Sequence, residues 1–358
     1  MPPEIVLFGA GPVGCTLALL LQSAGRPVAL CGSRGRSAAD PHPRPVALSY
    51  ASRLILERAG AWPRLAVTPI ETVHVSQRSG FGTTCLASAD AGVPALGYVL
   101  EYRALVSALA AAVRESGLRI DESADSRLRA DASLLVHAEG SGDYATDKSY
   151  DQTAVVGLVD ADPPASATAF ERFTPQGPLA LLPLGAAYGM IWAMRPERAA
   201  ALVESDPPAF LEALQNAFGS RAGRFVSVRG RSTAALALRV RARRATVREV
   251  YVGNSAQTLH PVAGQGLNLG LRDAWDLASC IGDAPDPGAS PILQRYVALR
   301  RFDALATIRF TDLLAGVFTG ANPVTRILRG AALTALDACV PAKRFFARRM
   351  IFGPSAMP

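Results

Sequence analysis

The sequence predicts an α/β fold, on three observations. An apolar strand at Ile5–Phe8 runs into a glycine turn and a buried helix. From about Thr153 the hydrophobic period shifts towards two, as in an antiparallel sheet. After Glu249 the chain returns to a short apolar strand, a second glycine-rich segment and long helices. Together these predict a Rossmann-type nucleotide-binding domain built from residues 1–150 and 246–290. An antiparallel sheet domain is inserted at 151–245, and C-terminal helices occupy 291–358.

The elements follow in order. Ile5-Val6-Leu7-Phe8 is the first strand and Gly9 to Gly14 the turn. Val13 to Ala24 is a helix that is apolar nearly all round and therefore buried; Gly25 ends it, and Pro27-Val28-Ala29-Leu30 is the next strand. This βαβ unit implies a right-handed crossover and a parallel sheet. A Pro-rich connection covers Asp40 to Pro45. Leu48 to Ala59 reads as a helix, Glu71 to Gln77 as a strand and Tyr102 to Arg114 as an amphipathic helix. Residues 118–150 are polar and weakly patterned, with Leu134-Leu135-Val136 their one clear strand. Strands are expected at Thr153–Val159, Leu179–Leu184, Met190–Met194, Phe225–Val228 and Ala234–Val240, and a helix at Pro207–Phe218. Two long helices, 291–317 and 323–340, close the chain.

Phe173 to Met194 is uncharged and long enough to cross a bilayer, but Pro175, Pro178 and Pro183 cut it into strand-sized pieces. It reads as a buried hairpin. The composition, 49% hydrophobic and 19% charged, is that of a globular protein. A net charge of +7 is spread along the chain, with no basic block of the kind that marks a nucleic-acid binder. It reads as a solvated surface or as an attraction to anionic lipid. Five widely spaced cysteines with no C-x-x-C exclude a disulfide framework or zinc ribbon and suit a reducing compartment. His42, His74, His137 and His260 stand at no metal-ligand spacing, so no metal site is expected. The N-terminus lacks a basic n-region and a cleavage pattern, so a cytoplasmic location is expected, with peripheral contact at the inner face of the membrane.

Gly9-x-Gly11-x-x-Gly14 has the dinucleotide spacing. The first glycine allows the tight turn, the second lets backbone approach a pyrophosphate, and the third lets helix pack on strand. The acid that normally ends the second strand is missing from Val28-Ala29-Leu30-Cys31-Gly32-Ser33-Arg34; Ser33 or a backbone group stands in for it. The second segment, Gly253 to Ala274, is longer and more specific. Asn254 follows an apolar strand, Pro261 stiffens the loop, and Gly264 and Gly266 let backbone pass close to a flat ring. A helix begins there, and its dipole favours negative charge at its start.

The Gly253–Ala274 segment closely resembles the C-terminal flavin motif of the class A flavoprotein monooxygenases, in the form of the ubiquinone-biosynthesis hydroxylases. Within these, the 2-octaprenyl-6-methoxyphenol hydroxylase branch is nearest in likeness. The resemblance recurs at Arg44–Ser49, at Phe170–Pro183 and from Gln294 to Asp312, and covers nearly the whole chain. It implies an FAD-binding Rossmann-type domain, reduction by NADPH or NADH, and hydroxylation of the ring of a polyprenyl phenol with O2 activated at the flavin. Gly9, Gly11 and Gly14 would hold the FAD pyrophosphate. Arg44 matches an arginine near the flavin, and Arg103 one beside the phosphates. Asn254 would reach the cofactor, and Pro261, Gly264, Gln265, Gly266 and Asn268 would line the isoalloxazine. Phe173, Leu181, Pro183 and Trp192 are candidate walls of a substrate site under the inserted sheet.

The chain departs from the family at His137-Ala138-Glu139-Gly140, where the family has Asp-Gly followed by an arginine, and this bears on reduction by nicotinamide. No catalytic side chain is singled out, and His260 reads as packing or flavin positioning. Lys343 to Phe352 mixes basic and aromatic residues and reads either as a lipid-docking segment or as a solvated tail. The alternatives are a hydroxylase of another aromatic substrate and a non-catalytic flavin-fold subunit of a ubiquinone-biosynthesis assembly.

Overall fold

The computed structural model describes residues 4–32, 42–78, 80–121, 131–140, 144–259, 264–318 and 323–353. The chain opens with β1 (Ile5–Phe8), α1 (Pro12–Ser23), β2 (Val28–Cys31), β3 (Pro45–Ser49), α2 (Tyr50–Arg58), β4 (Thr68–Ile70), β5 (Thr72–Gln77) and β6 (Thr83–Ala87). It continues with α3 (Ser88–Ala91), β7 (Gly97–Glu101), α4 (Tyr102–Glu115), β8 (Ile120–Asp121), β9 (Leu134–His137), β10 (Thr146–Asp162), β11 (Thr168–Phe173), β12 (Pro178–Leu184) and β13 (Ala187–Met194). Then come α5 (Pro196–Glu204), α6 (Pro207–Phe218), β14 (Arg224–Val240), β15 (Ala245–Thr246), β16 (Glu249–Tyr251) and β17 (Gln257–Thr258). The helices α7 (Gln265–Ile281), α8 (Ser290–Phe318), α9 (Pro323–Ala338) and α10 (Val340–Phe352) end it.

β1 lies between β2 and β9 and is parallel to both, with Ile5 opposite Val28 and Leu134. All four of its residues are buried, which is why the run is apolar without alternation. The six-stranded sheet, in the order β15-β16-β9-β1-β2-β8, joins both ends of the chain, since β16 runs parallel to β9 with Val250 opposite Val136. The predicted βαβ start is therefore present.

The eight-stranded sheet has the order β17-β14-β10-β13-β12-β11-β5-β6, and β11 and β5 form its one parallel pair among the described residues. Its last two strands at one end, β5 and the edge strand β6, come from the first ninety residues. One face packs on α5 and α6 in a core of Leu181, Trp192, Phe210, Leu214 and Phe218. α6 starts at Pro207 behind the Asp206 cap, which accepts a hydrogen bond from Ala209 N, and matches its predicted bounds. β14 is one strand where two were expected. Its polar middle, Arg229 to Thr233, breaks the sequence pattern but not the ladder to β10, which absorbs a bulge beside Gly230. At Leu48–Ser49 the expected helix is still strand, and α2 begins after Ser49 caps it through Ser52 N. Lys343–Phe352, read as a docking segment or tail, lies in α10.

Candidate active site

Two glycines of the first turn are required by the chain itself, and the third leaves room. Gly9 has φ +109°, and a Cβ there would lie 2.5 Å from the backbone of Ala138 and Glu139. A Cβ on Gly14 would lie 1.9 Å from Gly9 O, so α1 packs directly on the turn. At Gly11 a Cβ would meet nothing within 4 Å. Gly11 is also the N-cap of α1, which has no side-chain cap and no acid in its first turn. Pro12 has no N–H, so the free N–H groups of this turn start at Val13; Gly11, Pro12 and Val13 line the cavity, an uncapped helix start of the kind that binds an anion.

α7 repeats this arrangement. Its N-cap Gly264 sits in the left-handed region at φ +60°, with no side-chain cap and no acid in the first turn. A Cβ on Gly266 would meet nothing within 4 Å. Buried Asn268 fixes this turn: Oδ1 accepts from Ser49 N at 2.8 Å and Ser52 Oγ at 2.7 Å, while Nδ2 donates to Ala47 O at 3.0 Å and Gly264 O at 2.9 Å. Its polar atoms are thus occupied in joining β3 and α2 to the start of α7.

Asn254 and Glu139 face the same space from two neighbouring turns. The turns are tied together where Gly140 N donates to Ser255 Oγ at 2.9 Å and Tyr144 OH to Asn254 O at 3.0 Å. Glu139 Oε1 is 3.4 Å from His137 Nδ1. The His137 ring is stacked between Phe8 and Tyr251 at 5.5 and 4.8 Å. Arg44 lines the space with its guanidinium 4.5 Å above the Tyr102 ring. Arg103 is exposed and pairs with Glu101 at 3.2 Å; the space is lined on α4 by Tyr102 and Val106. Pro261, His260, Ser33 and Arg34 lie outside the described residues.

These turns open onto one cavity of about 2750 Å³. A usual ligand pocket is roughly 300–1,000 Å³, so there is room for a dinucleotide and a second molecule together. Gly9, Gly11, Gly264, Gln265, Gly266 and Asn268 line one end of it. The residues fit FAD: two uncapped helix N-termini and two glycines with vacant Cβ positions form a cradle for an anionic, flat ligand.

The other end is roofed by the large sheet. Phe173 lines it as expected, but Leu181, Trp192 and Pro183 do not. Leu181 and Trp192 point through the opposite face into the core under α5 and α6. On β12 it is Ala180 and Leu182 that face the cavity, as the two-residue period of a strand requires. α9 and α10 close the far side with Leu333, Phe346, Met350 and Ile351, leaving Phe345 71% exposed outside. Glu171, also in the roof, was not singled out from the sequence, although it lies within the Phe170–Pro183 motif. Among the described residues no His/Cys/Asp/Glu group is placed to hold a metal, and no helix is long and apolar enough to cross a membrane.

The family described as FAD binding domain matches residues 122–311. Ubiquinone hydroxylase UbiL of Rhodospirillum rubrum is 30% identical, over 96% of this chain and 88% of the relative. The 3-demethoxyubiquinol 3-hydroxylase of Escherichia coli is 27% identical, over 96% of this chain and 97% of the relative. Among solved structures, p-nitrophenol 4-monooxygenase PnpA from Pseudomonas putida shares the fold, with a TM-score of 0.78 over 96% of both chains at 16% identity. On the family match over more than half of the chain and the 30% identity to a ubiquinone hydroxylase along nearly its whole length, this chain belongs to the FAD-binding-domain family, among the flavin-dependent hydroxylases of ubiquinone biosynthesis.

Proposed function

We propose that the chain is an FAD-dependent monooxygenase that hydroxylates the aromatic ring of a polyprenyl phenol on the ubiquinone pathway. NADPH or NADH supplies the electrons and O2 the oxygen. The observation that carries this reading is the single cavity running from the uncapped start of α1, past the uncapped start of α7, to an apolar sheet roof. When bound, FAD supplies the redox chemistry, accepting hydride from the nicotinamide and activating O2 for transfer to the ring.

The chain's own residues do the rest. The backbone N–H groups after Gly11 bind the pyrophosphate, with Gly9 and Gly14 shaping the turn. The start of α7, from Gly264 to Asn268, orients the flat ring and offers positive dipole to negative charge developing beside it. Arg44 and Asn254 line the flavin half, and Arg103 and Pro261 are assigned there on family likeness. Residues 1–150 and 246–290 hold FAD, and 151–245 form most of the roof. The helices of 291–358 exclude water from the reacting ring. The outward side of α10, with Arg344, Phe345 and Arg348 exposed, suits peripheral contact with an anionic membrane surface that delivers a prenylated substrate.

The test is product analysis under ¹⁸O2 with FAD, NADPH and a short-chain prenyl phenol. The expected product carries one labelled oxygen on the ring. The absence of both NADPH consumption and ring oxygenation, across simple and prenylated phenols, would remove the hydroxylase reading and leave the non-catalytic one.

A further inference from the structure

One carboxyl group stands in the roof of the cavity. Strand pairing sets Val75, Glu171, Ala180, Ile191, Val156 and Ser232 side by side across β5, β11, β12, β13, β10 and β14. All six line the cavity. Glu171 is the one ionisable side chain in that row, and its flanking side chains, Val75 and Ala180, have no polar atom. The next residue, Arg172, faces the other way, towards Ser76 Oγ and Ala217 O. The other charged groups among the described cavity residues stand off the sheet: Arg44, Arg114, Arg119, Glu139 and, on α9, Arg329, with His42 beside them. Burial pushes the Glu171 carboxyl up to about 7.

The row is also close to the flavin end. One same-face step from Ala180 and Ile191, Leu182 pairs with Gly189, and a Cβ on Gly189 would lie 2.4 Å from Pro45 Cβ. Two residues after Pro45, Ala47 lies 3.7 Å from the Cβ position of Gly264. Such a step is about 7 Å along a strand, and Glu171 on β11 stands two strands, about 5 Å each, from Gly189 on β13, so Glu171 faces the cavity roughly 12 Å from where the sheet meets β3.

On the hydroxylase reading given above, we propose that Glu171 is the general base that ionises the ring hydroxyl of the substrate. The phenol O–H bond breaks, the proton passes to a Glu171 carboxylate oxygen, and the electron pair stays on the phenol oxygen. That pair enriches the ortho and para carbons, one of which takes the incoming oxygen. As the ring becomes aromatic again, the phenol oxygen recovers its proton from Glu171 and the displaced ring hydrogen leaves to water as a proton. A carboxyl that changes charge near neutral pH serves both steps. Being charged only above that range, it makes hydroxylation rise with pH through about 7.

The test uses the FAD-loaded full chain with Glu171→Gln and Glu171→Asp. FAD content reports on the flavin site and stays near wild type in both. Ring-oxygenated product per NADPH falls on the order of 100-fold in Glu171→Gln, with loss of the rise through pH 7, and recovers in part, with that rise, in Glu171→Asp. A second readout needs no turnover: 4-nitrophenol bound to the oxidised enzyme at neutral pH shows phenolate absorbance in wild type and Glu171→Asp, and loses it in Glu171→Gln. Unchanged product coupling, or unchanged phenolate absorbance, in Glu171→Gln overturns the assignment. A wild-type protein that neither retains FAD nor oxidises NADPH overturns it as well, through the reading of the site, and the wild-type control separates the two failures.

Discussion

Arg300 Nε lies 2.6 Å from Asp273 Oδ1, and both side chains are fully buried. The other Asp273 oxygen accepts from Gly253 N at 3.0 Å and Gln257 Nε2 at 2.8 Å, so the pair holds the turn that carries Asn254. Arg300 also reaches Asp276 and Asp303, each at 2.7 Å, and Asp303 pairs with Arg272 at 2.8 Å. One ion network thus ties α8 to α7 and to the Gly253 turn. Burial pulls the proton affinity of Arg300 down, but Asp273, Asp303 and Asp276 outweigh it and the net direction is up.

Arg300→Met leaves buried carboxylates without their main counter-charge, and a loss of about 3–5 kcal/mol is expected in urea unfolding at pH 7. Burial works to raise the Asp303 proton affinity, but Arg272 and Arg300 hold it below the ordinary carboxylate range. Its contribution is therefore present above that range and is lost as pH falls through its folded value. The gap between wild type and variant should narrow in acid. A variant as stable as wild type at pH 7 contradicts this account of the network.

Gly11 and Gly14 separate cofactor binding from folding. A Cβ at Gly11 enters open space, whereas one at Gly14 meets Gly9 O at 1.9 Å. Gly11→Val should fold normally and purify without FAD. Gly14→Ala should lose about 1–3 kcal/mol of stability, with or without cofactor. The flavin-to-protein ratio and a thermal melt distinguish the two; a yellow, fully loaded Gly11→Val removes the pyrophosphate assignment.

The βαβ start was legible because its glycines and buried strand obey local rules that act within thirty residues. The roof was less so. Leu179-Ala180-Leu181-Leu182-Pro183 is apolar on both faces, because one face meets α5 and α6 and the other the cavity. Without alternation, size favoured Leu181 and Trp192, and register gave the cavity to Ala180 and Ile191 instead. Glu171 was hidden for the same reason: its side of the strand is set by pairing with Val75 and Ala180, contacts nearly a hundred and about ten residues away. The 343–352 segment carries the charge of a tail, yet Ala347 and Ile351, four residues apart, are buried on one helical side.

Asn268→Ala should destabilise the protein even without flavin. It strands Ser49 N and Gly264 O, whose partners are the Asn268 amide at 2.8 and 2.9 Å. The cost of such unpaired buried groups is about 1–3 kcal/mol. A thermal melt of the FAD-free protein measures it; no change there, with FAD binding lost, would mean that Asn268 acts on the cofactor alone.

Glu171→Gln should stabilise the fold in alkali. Burial raises the carboxyl from 4.5 to about 7, so the folded state holds its proton more tightly than the unfolded one. Stability from this group is complete below the lower value and falls as pH rises through the higher one. At pH 8 the variant should exceed wild type by up to about 3 kcal/mol, less where cavity water screens the charge, and at pH 4 the two should match. A variant that is weaker at pH 8 contradicts the burial of a charged carboxylate there.

The most direct test of the flavin hydroxylase account is the visible absorption spectrum of the purified protein, before and after anaerobic NADPH or NADH in the presence of a prenyl phenol. The account predicts oxidised-flavin bands that bleach on addition, with Glu139 in place of the family's aspartate still permitting reduction. A protein that is colourless and cannot be loaded with FAD contradicts it at the first step, and a bound flavin that stays oxidised contradicts it at the second.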